Sequence, residues 1–122
     1  MTFKKIAPDI FRQRLLIEGF YSISVSEAEV KGYLLGVASQ LNLRAYGEPT
    51  IFSPDSGMGK EENSGYDAFL PLIDSGISLY VWSKHKFIST VLYTCKGFDP
   101  HSAVNFTKDF FRIEGEIVHL PF

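Results

Sequence analysis

An acid and a hydroxyl stand side by side within an otherwise apolar stretch of the sequence. The segment "LIDSGISLYVW" contains Asp74, Ser75 and Gly76 between two runs that are rich in branched and aromatic residues. A serine hydroxyl becomes a nucleophile when other groups of a site activate it. The segment is therefore either a bend or bulge between two strands, which glycine and serine favour, or part of a reactive site.

Other residue types give weaker indications of chemistry. His85, His101 and His119 lack a paired spacing that would present two ligands to one metal ion, and the single Cys95 excludes an internal disulfide. The segment 57–60, "GMGK", resembles a phosphate-binding loop only faintly, because the four-residue spacing between glycines and the following Ser or Thr are missing. We expect no metal site and no phosphate loop.

Composition indicates one small domain. The chain has 122 residues, of which 45% are hydrophobic and 15% aromatic, and this is enough to build one core. Its 12 Lys and Arg against 14 Asp and Glu give a net charge of −2 without a basic cluster. No apolar run has the length of a signal peptide or a membrane span. We expect a single domain over residues 1–122 that is cytoplasmic and binds neither nucleic acid nor membranes.

Hydrophobic periodicity predicts the elements that position these residues. Ser26 and Glu29 have the spacing of a capping box, and apolar residues then recur at helical spacing up to about residue 42. Asp99 and Pro100 are typical of a second helix start. The strand candidates are "QRLLIEGFYSI", "PTIFSP", "YDAFLPLI", "GISLYVW", "KFISTVLYTC" and "GEIVHL", with a polar loop after the second and the turn "SKHK" after the fourth.

The order of these elements predicts the fold class. Short links among the middle strands favour an antiparallel sheet with both helices on one face, which is an α+β two-layer sandwich. The second face of such a sheet has no cover, although its strands are rich in apolar and aromatic residues. Stacking that face on another copy would bury it, so we expect a homodimer.

The segment around Ser75 resembles a motif of the small prokaryotic S-adenosylmethionine decarboxylases. That family has Glu-Ser-His-Ile-Ser-Ile-His-Thr-Trp-Pro-Glu and, further along, a strand that ends in Thr-Cys-Gly; "DSGISLYVWSK" and "VLYTCK" are similar to these. The residues that match are Ser75, Ile77, Ser78, Trp82, Thr94 and Cys95. "RLLIEGFYSI" and "FSP" resemble the family's opening strand and its Phe-x-Pro element, so the resemblance covers nearly the whole chain.

The resemblance implies a cofactor that is made from the chain itself. In the family, the serine hydroxyl attacks the preceding carbonyl, the chain breaks through an ester, and the serine becomes a pyruvoyl group that serves as an electron sink for decarboxylation. Ser75 stands at the place of this serine, Asp74 at that of the preceding glutamate, and Cys95 at that of the proton donor. Phe52 would line the same cleft with Asp67, Tyr80 and these residues.

Several working positions depart from the family's pattern. Gly76 replaces a histidine, Tyr80 replaces the histidine that assists self-cleavage, and Lys84 replaces the glutamate that holds the substrate ribose. Asp67 replaces a helper serine in an ungapped match, whereas a longer connection would place Ser64-Gly65 there. At neutral pH a phenol accepts a proton far less readily than an imidazole, and lysine offers no acceptor to ribose hydroxyls.

Two hypotheses about function remain open. The favoured one is a divergent, unprocessed relative without a cofactor, which keeps the fold and the homodimer and binds a small molecule or a regulatory partner. The alternative is an active pyruvoyl-dependent decarboxylase of S-adenosylmethionine or another amino acid in polyamine synthesis. Asp67, Tyr80 and Lys84 are the residues that separate the two. In the simplest structural interpretation, Cys95 is a buried, inert thiol, and Tyr80 and Trp82 are core or interface aromatics.

Overall fold

The computed structural model describes residues 5–53 and 64–122, which form one sheet with two helices packed on it. The elements in chain order are β1 (Gln13–Phe20), α1 (Glu27–Gln40), β2 (Thr50–Phe52), β3 (Gly65–Leu72), β4 (Ser75–Trp82), β5 (Phe87–Thr94), α2 (Pro100–Phe111) and β6 (Ile117–Pro121). The predicted fold class and element order are confirmed. The segment 57–60 lies outside the described residues.

All neighbouring strands of the sheet are antiparallel, in the order β2-β3-β4-β5-β1-β6. Residues that lie opposite each other in such a ladder point to the same face. Leu15, Leu92, Ile77 and Leu70 form one such row across four strands, and each is at most 1% exposed. This row belongs to the face that the helices cover, and it forms the centre of the core.

Both helices begin where the sequence predicts. In α1, the backbone N–H of Ser26 donates to the Glu29 carboxylate at 2.7 Å, as a capping box requires. In α2, Asp99 accepts a hydrogen bond from the backbone N–H of His101 at 3.0 Å, and Pro100 occupies the first turn. The apolar positions predicted for α1 are all buried: Val30, Leu34, Val37, Ala38 and Leu41.

The two helices contact each other closely because α1 carries a glycine at the contact. A Cβ at Gly36 would lie 2.8 Å from the ring of Phe106. Beside this contact the hydroxyl groups of Tyr33 and Thr107 are hydrogen-bonded at 2.8 Å, and burial raises the pKa of Tyr33 to about 12. This polar pair is satisfied inside the core, so it contributes to the helix interface rather than to a reactive site.

Candidate functional site

The predicted site residues occupy two regions at opposite ends of β4. Asp74, Ser75 and Cys95 lie where β4 begins, whereas Tyr80 and its neighbour Asp67 lie near the other end. Tyr80 lies five positions after Ser75 in an extended strand, a distance of roughly 16 Å. A single chain therefore does not bring the two groups of residues together.

The first region is the tight turn between β3 and β4. Leu72 pairs with Ser75, so the turn consists of Ile73 and Asp74, and Ser75 and Gly76 already belong to β4. The bend predicted at Ser75-Gly76 therefore lies two residues earlier, at Ile73-Asp74. Ser75 nevertheless has a φ of 117°, a positive value that residues other than glycine rarely adopt. Backbone strain of this kind occurs at both tight turns and reactive sites.

Asp74 is the electrostatic centre of this turn. Its side chain is only 4% exposed and accepts hydrogen bonds from Arg44, at 2.8 Å and 3.4 Å from the guanidinium and at 3.1 Å from the backbone N–H. These hydrogen bonds lower the pKa of the Asp74 carboxyl. Sequence reasoning missed Arg44, because it lies 30 positions away in the segment that follows α1 and no motif connects the two.

Cys95 also contacts this turn, through its backbone. Its N–H donates to the carbonyl oxygen of Asp74 at 2.9 Å, and this carbonyl is the one that Ser75 would have to attack in a self-cleavage reaction. The Cys95 side chain is exposed, so its interpretation as a buried thiol is wrong. What the turn offers chemically is a carbonyl with one hydrogen-bond donor next to a strained serine.

The second region is a groove on the face of the sheet that the helices leave uncovered. Asp67 lies directly between Phe52 and Tyr80 in the strand register, and the next row on this face has Phe69 between Thr50 and Ser78. Together with Ala68 these residues line a groove of about 270 Å³. Three residues that the family resemblance assigns to one cleft, Phe52, Asp67 and Tyr80, are therefore neighbours.

The remaining predicted positions lie outside the groove. Ser64 precedes β3, and its carbonyl accepts a hydrogen bond from the backbone N–H of Ser83 at 2.9 Å, so Asp67 rather than Ser64 is the neighbour of Tyr80. Lys84 is exposed in the turn between β4 and β5 and does not line the groove. Within the described part of the chain, no group of three His, Cys, Asp or Glu residues could hold a metal ion.

The groove is part of a largely apolar sheet face. The large apolar side chains that are exposed on this face are Phe20, Phe52, Phe69, Tyr80, Tyr93, Val118 and Leu120. At one end of the central strands the ring of Phe87 contacts those of Phe20 and Trp82, with centroid distances of 5.2 Å and 5.5 Å. Tyr80 and Trp82 are thus surface aromatics of this face and not part of the core. No helix among the described residues has the length and apolarity to cross a membrane.

Comparison with solved structures identifies the fold. The chain is similar to the crystal structure of the adenosylmethionine decarboxylase from Aquifex aeolicus VF5, with a TM-score of 0.69 and 18% sequence identity over 93% of this chain and 89% of that one. No family model matches the sequence, and no curated protein matches it either. The chain has the adenosylmethionine decarboxylase fold. At this identity the similarity concerns the fold alone, and function must be argued from the side chains.

Proposed function

We propose that this protein uses the adenosylmethionine decarboxylase fold without self-cleavage, as a homodimer that binds a small molecule in the groove beside Asp67. The observation that carries this proposal is the groove itself. It places an acidic side chain between Phe52 and Tyr80, and the side chain of Asp67 makes no hydrogen bond or ion pair with any described residue. Apolar walls with a few polar groups that fix the ligand's orientation are typical of small-molecule sites.

The residues around Ser75 do not fit the formation of a pyruvoyl group. That chemistry requires a base, and the carboxylate next to Ser75 is held by Arg44, which lowers its pKa and makes it a weaker base. The Ser75 hydroxyl has no hydrogen-bond partner among the described residues. Tyr80 is a phenol where the family has an imidazole, and an ionised Asp67 would oppose negative charge on an attacked carbonyl.

One alternative is supported by two observations at the same turn. The positive φ of Ser75 and the Cys95 N–H bound to the Asp74 carbonyl would both favour attack by the serine hydroxyl. A pyruvoyl-dependent decarboxylase that used Tyr80 or Asp67 together with Ser75 would need two copies of the chain, because one chain keeps these residues roughly 16 Å apart.

Intact-mass measurement separates the two functions. We expect freshly purified and long-stored protein to give a single uncleaved mass near 13.8 kDa, the same as a Ser75→Ala control apart from the substituted atom. A pair of fragments, one ending at Asp74 and the other beginning with a pyruvoyl group, would refute the proposal and support the decarboxylase if it is absent from the control.

The homodimer is proposed because the uncovered sheet face needs a partner. Monomeric soluble proteins rarely expose an apolar surface of this extent. We expect a second copy to cover the part of the face that β5, β1 and β6 form, by the same contacts on both sides, which leaves the groove on β2, β3 and β4 open to a ligand. Sedimentation at micromolar concentration should give about twice 13.8 kDa.

Val91→Lys, at the centre of this face, should yield a monomer, whereas Asn105→Lys on α2 adds the same charge elsewhere and should not. A wild-type monomer at high concentration would contradict this arrangement.

A further inference from the structure

We infer that the groove binds a small organic cation that carries no carboxylate of its own. This inference rests on the proposed function, since it names the class of ligand for the same groove. It depends on the geometry of three aromatic side chains, on the charge distribution around Asp67, and on the fact that no described residue gives Asp67 a structural partner.

The aromatic side chains surround Asp67 on three sides. Phe52 and Tyr80 are its direct cross-strand neighbours, and residues in such pairs have Cβ atoms about 5 Å apart. Phe69 follows two positions along β3 on the same face. In a single chain the three rings are between 37% and 65% exposed, and a second copy on β5, β1 and β6 would leave them accessible to a ligand. Aromatic faces attract cations through their quadrupole, and a carboxylate among them adds a direct charge interaction.

The local charge is negative. Asp67 is the only charged side chain among the described residues that line the groove. Its row across the sheet continues through Tyr80 and Ser89 to Glu18, whose carboxylate accepts a hydrogen bond from the Ser89 hydroxyl at 2.8 Å. This row therefore contains two carboxylates and no basic residue. A ligand with its own carboxylate would be repelled, and an uncharged ligand would gain at most a hydrogen bond from Asp67, without the charge interaction.

Among the described residues, none pairs with the Asp67 side chain in a way that would give it a structural role. Aspartate is disfavoured in strands, and an isolated carboxylate between two aromatic rings stabilises neither the ladder nor the core. Asp74, by contrast, is nearly buried and fully paired with Arg44. Residues that break a local rule without a compensating contact are typical of functional sites.

Three probes of similar shape test the charge preference. Choline carries a trimethylammonium group, 3,3-dimethylbutan-1-ol is its uncharged isostere, and glycine betaine carries the same cation together with a carboxylate. Titration of the dimeric protein, followed by NMR shifts of groove residues, should show choline binding at least about fivefold more tightly than either of the others, which corresponds to about 1 kcal/mol of cation–π and charge interaction.

Asp67→Asn should remove most of this preference while leaving the circular dichroism spectrum unchanged. Asp109→Asn, an exposed aspartate on α2, is the matched control and should bind as the wild type does. If the uncharged isostere binds the groove as tightly as choline, the inference is overturned and the groove remains a binding site. If none of the probes shifts the groove residues, the proposed function fails together with the inference.

Discussion

The β3–β4 hairpin contains two aspartates with opposite surroundings. Asp74, in the turn, is 3% exposed, and its carboxylate receives hydrogen bonds from both the backbone and the guanidinium of Arg44. Asp67, seven residues earlier, is exposed between two aromatic rings and has no partner among the described residues. The same side chain thus stabilises the fold in one place, and in the other it is exposed at the groove where we propose a ligand binds.

This difference favours the groove over the serine as a ligand site. The family resemblance points to Ser75 and Cys95, yet the turn beside them is held in place by hydrogen bonds within the protein. The segment after α1 is fixed to the hairpin by Arg44, whose carbonyl accepts the N–H of Ile73 at 2.8 Å. At the groove, the side chains of Asp67 and Tyr80 make no hydrogen bond to another described residue, so their polar groups are available to a ligand.

The largest expected effect is on stability, at the turn. Asp74→Ala removes the acceptor of three hydrogen bonds from Arg44, one of them from a partly buried backbone N–H. Losing hydrogen bonds to a charged group is costly, so we expect the melting temperature to fall by several degrees while choline binding is unchanged. Asp67→Asn should leave the free energy of unfolding within about 0.5 kcal/mol of the wild type. Equal losses in the two variants would remove the contrast between the aspartates.

The second expected effect is a loss of stability in acid. Hydrogen bonds from Arg44 lower the pKa of Asp74, so its stabilising contribution is complete above the unfolded-state pKa of about 4 and is lost as the pH falls through the lower folded-state value. Urea unfolding at about pH 6 and about pH 3 should show a smaller difference for Asp74→Ala than for the wild type. Part of the difference should persist, because the hydrogen bonds of Ser26 also lower the pKa of Glu29. An identical pH dependence in both proteins would contradict the assigned role.

The fold could be predicted from the sequence because its signals are local. The capping box at Ser26, the Asp99-Pro100 start and the alternating strands each depend on neighbouring residues. The contact between Arg44 and Asp74 could not be predicted from the sequence, because neither segment contains a signal that the other lies beside it. The separation of Ser75 from Tyr80 is predictable from the sequence, because positions five apart in a strand point to opposite faces and lie far from each other.

The smallest expected effect concerns Gly76, which connects the two regions. It follows Ser75 in the chain, but a Cβ at this position would lie 2.5 Å from the ring of Phe69, a residue of the groove wall. Phe69 is 45% exposed, so its ring can move when Gly76→Ala adds a methyl group. Because alanine is also favoured over glycine within a strand, we expect the free energy of unfolding to change by no more than about 1 kcal/mol. Choline binding should weaken by a few-fold as Phe69 is displaced.

Gly47→Ala is the matched control for Gly76→Ala, because no described atom lies within 4 Å of a Cβ at Gly47. If Gly76→Ala binds choline as the wild type does, Phe69 is not part of the ligand contact, and the cation site consists of Phe52, Asp67 and Tyr80 alone.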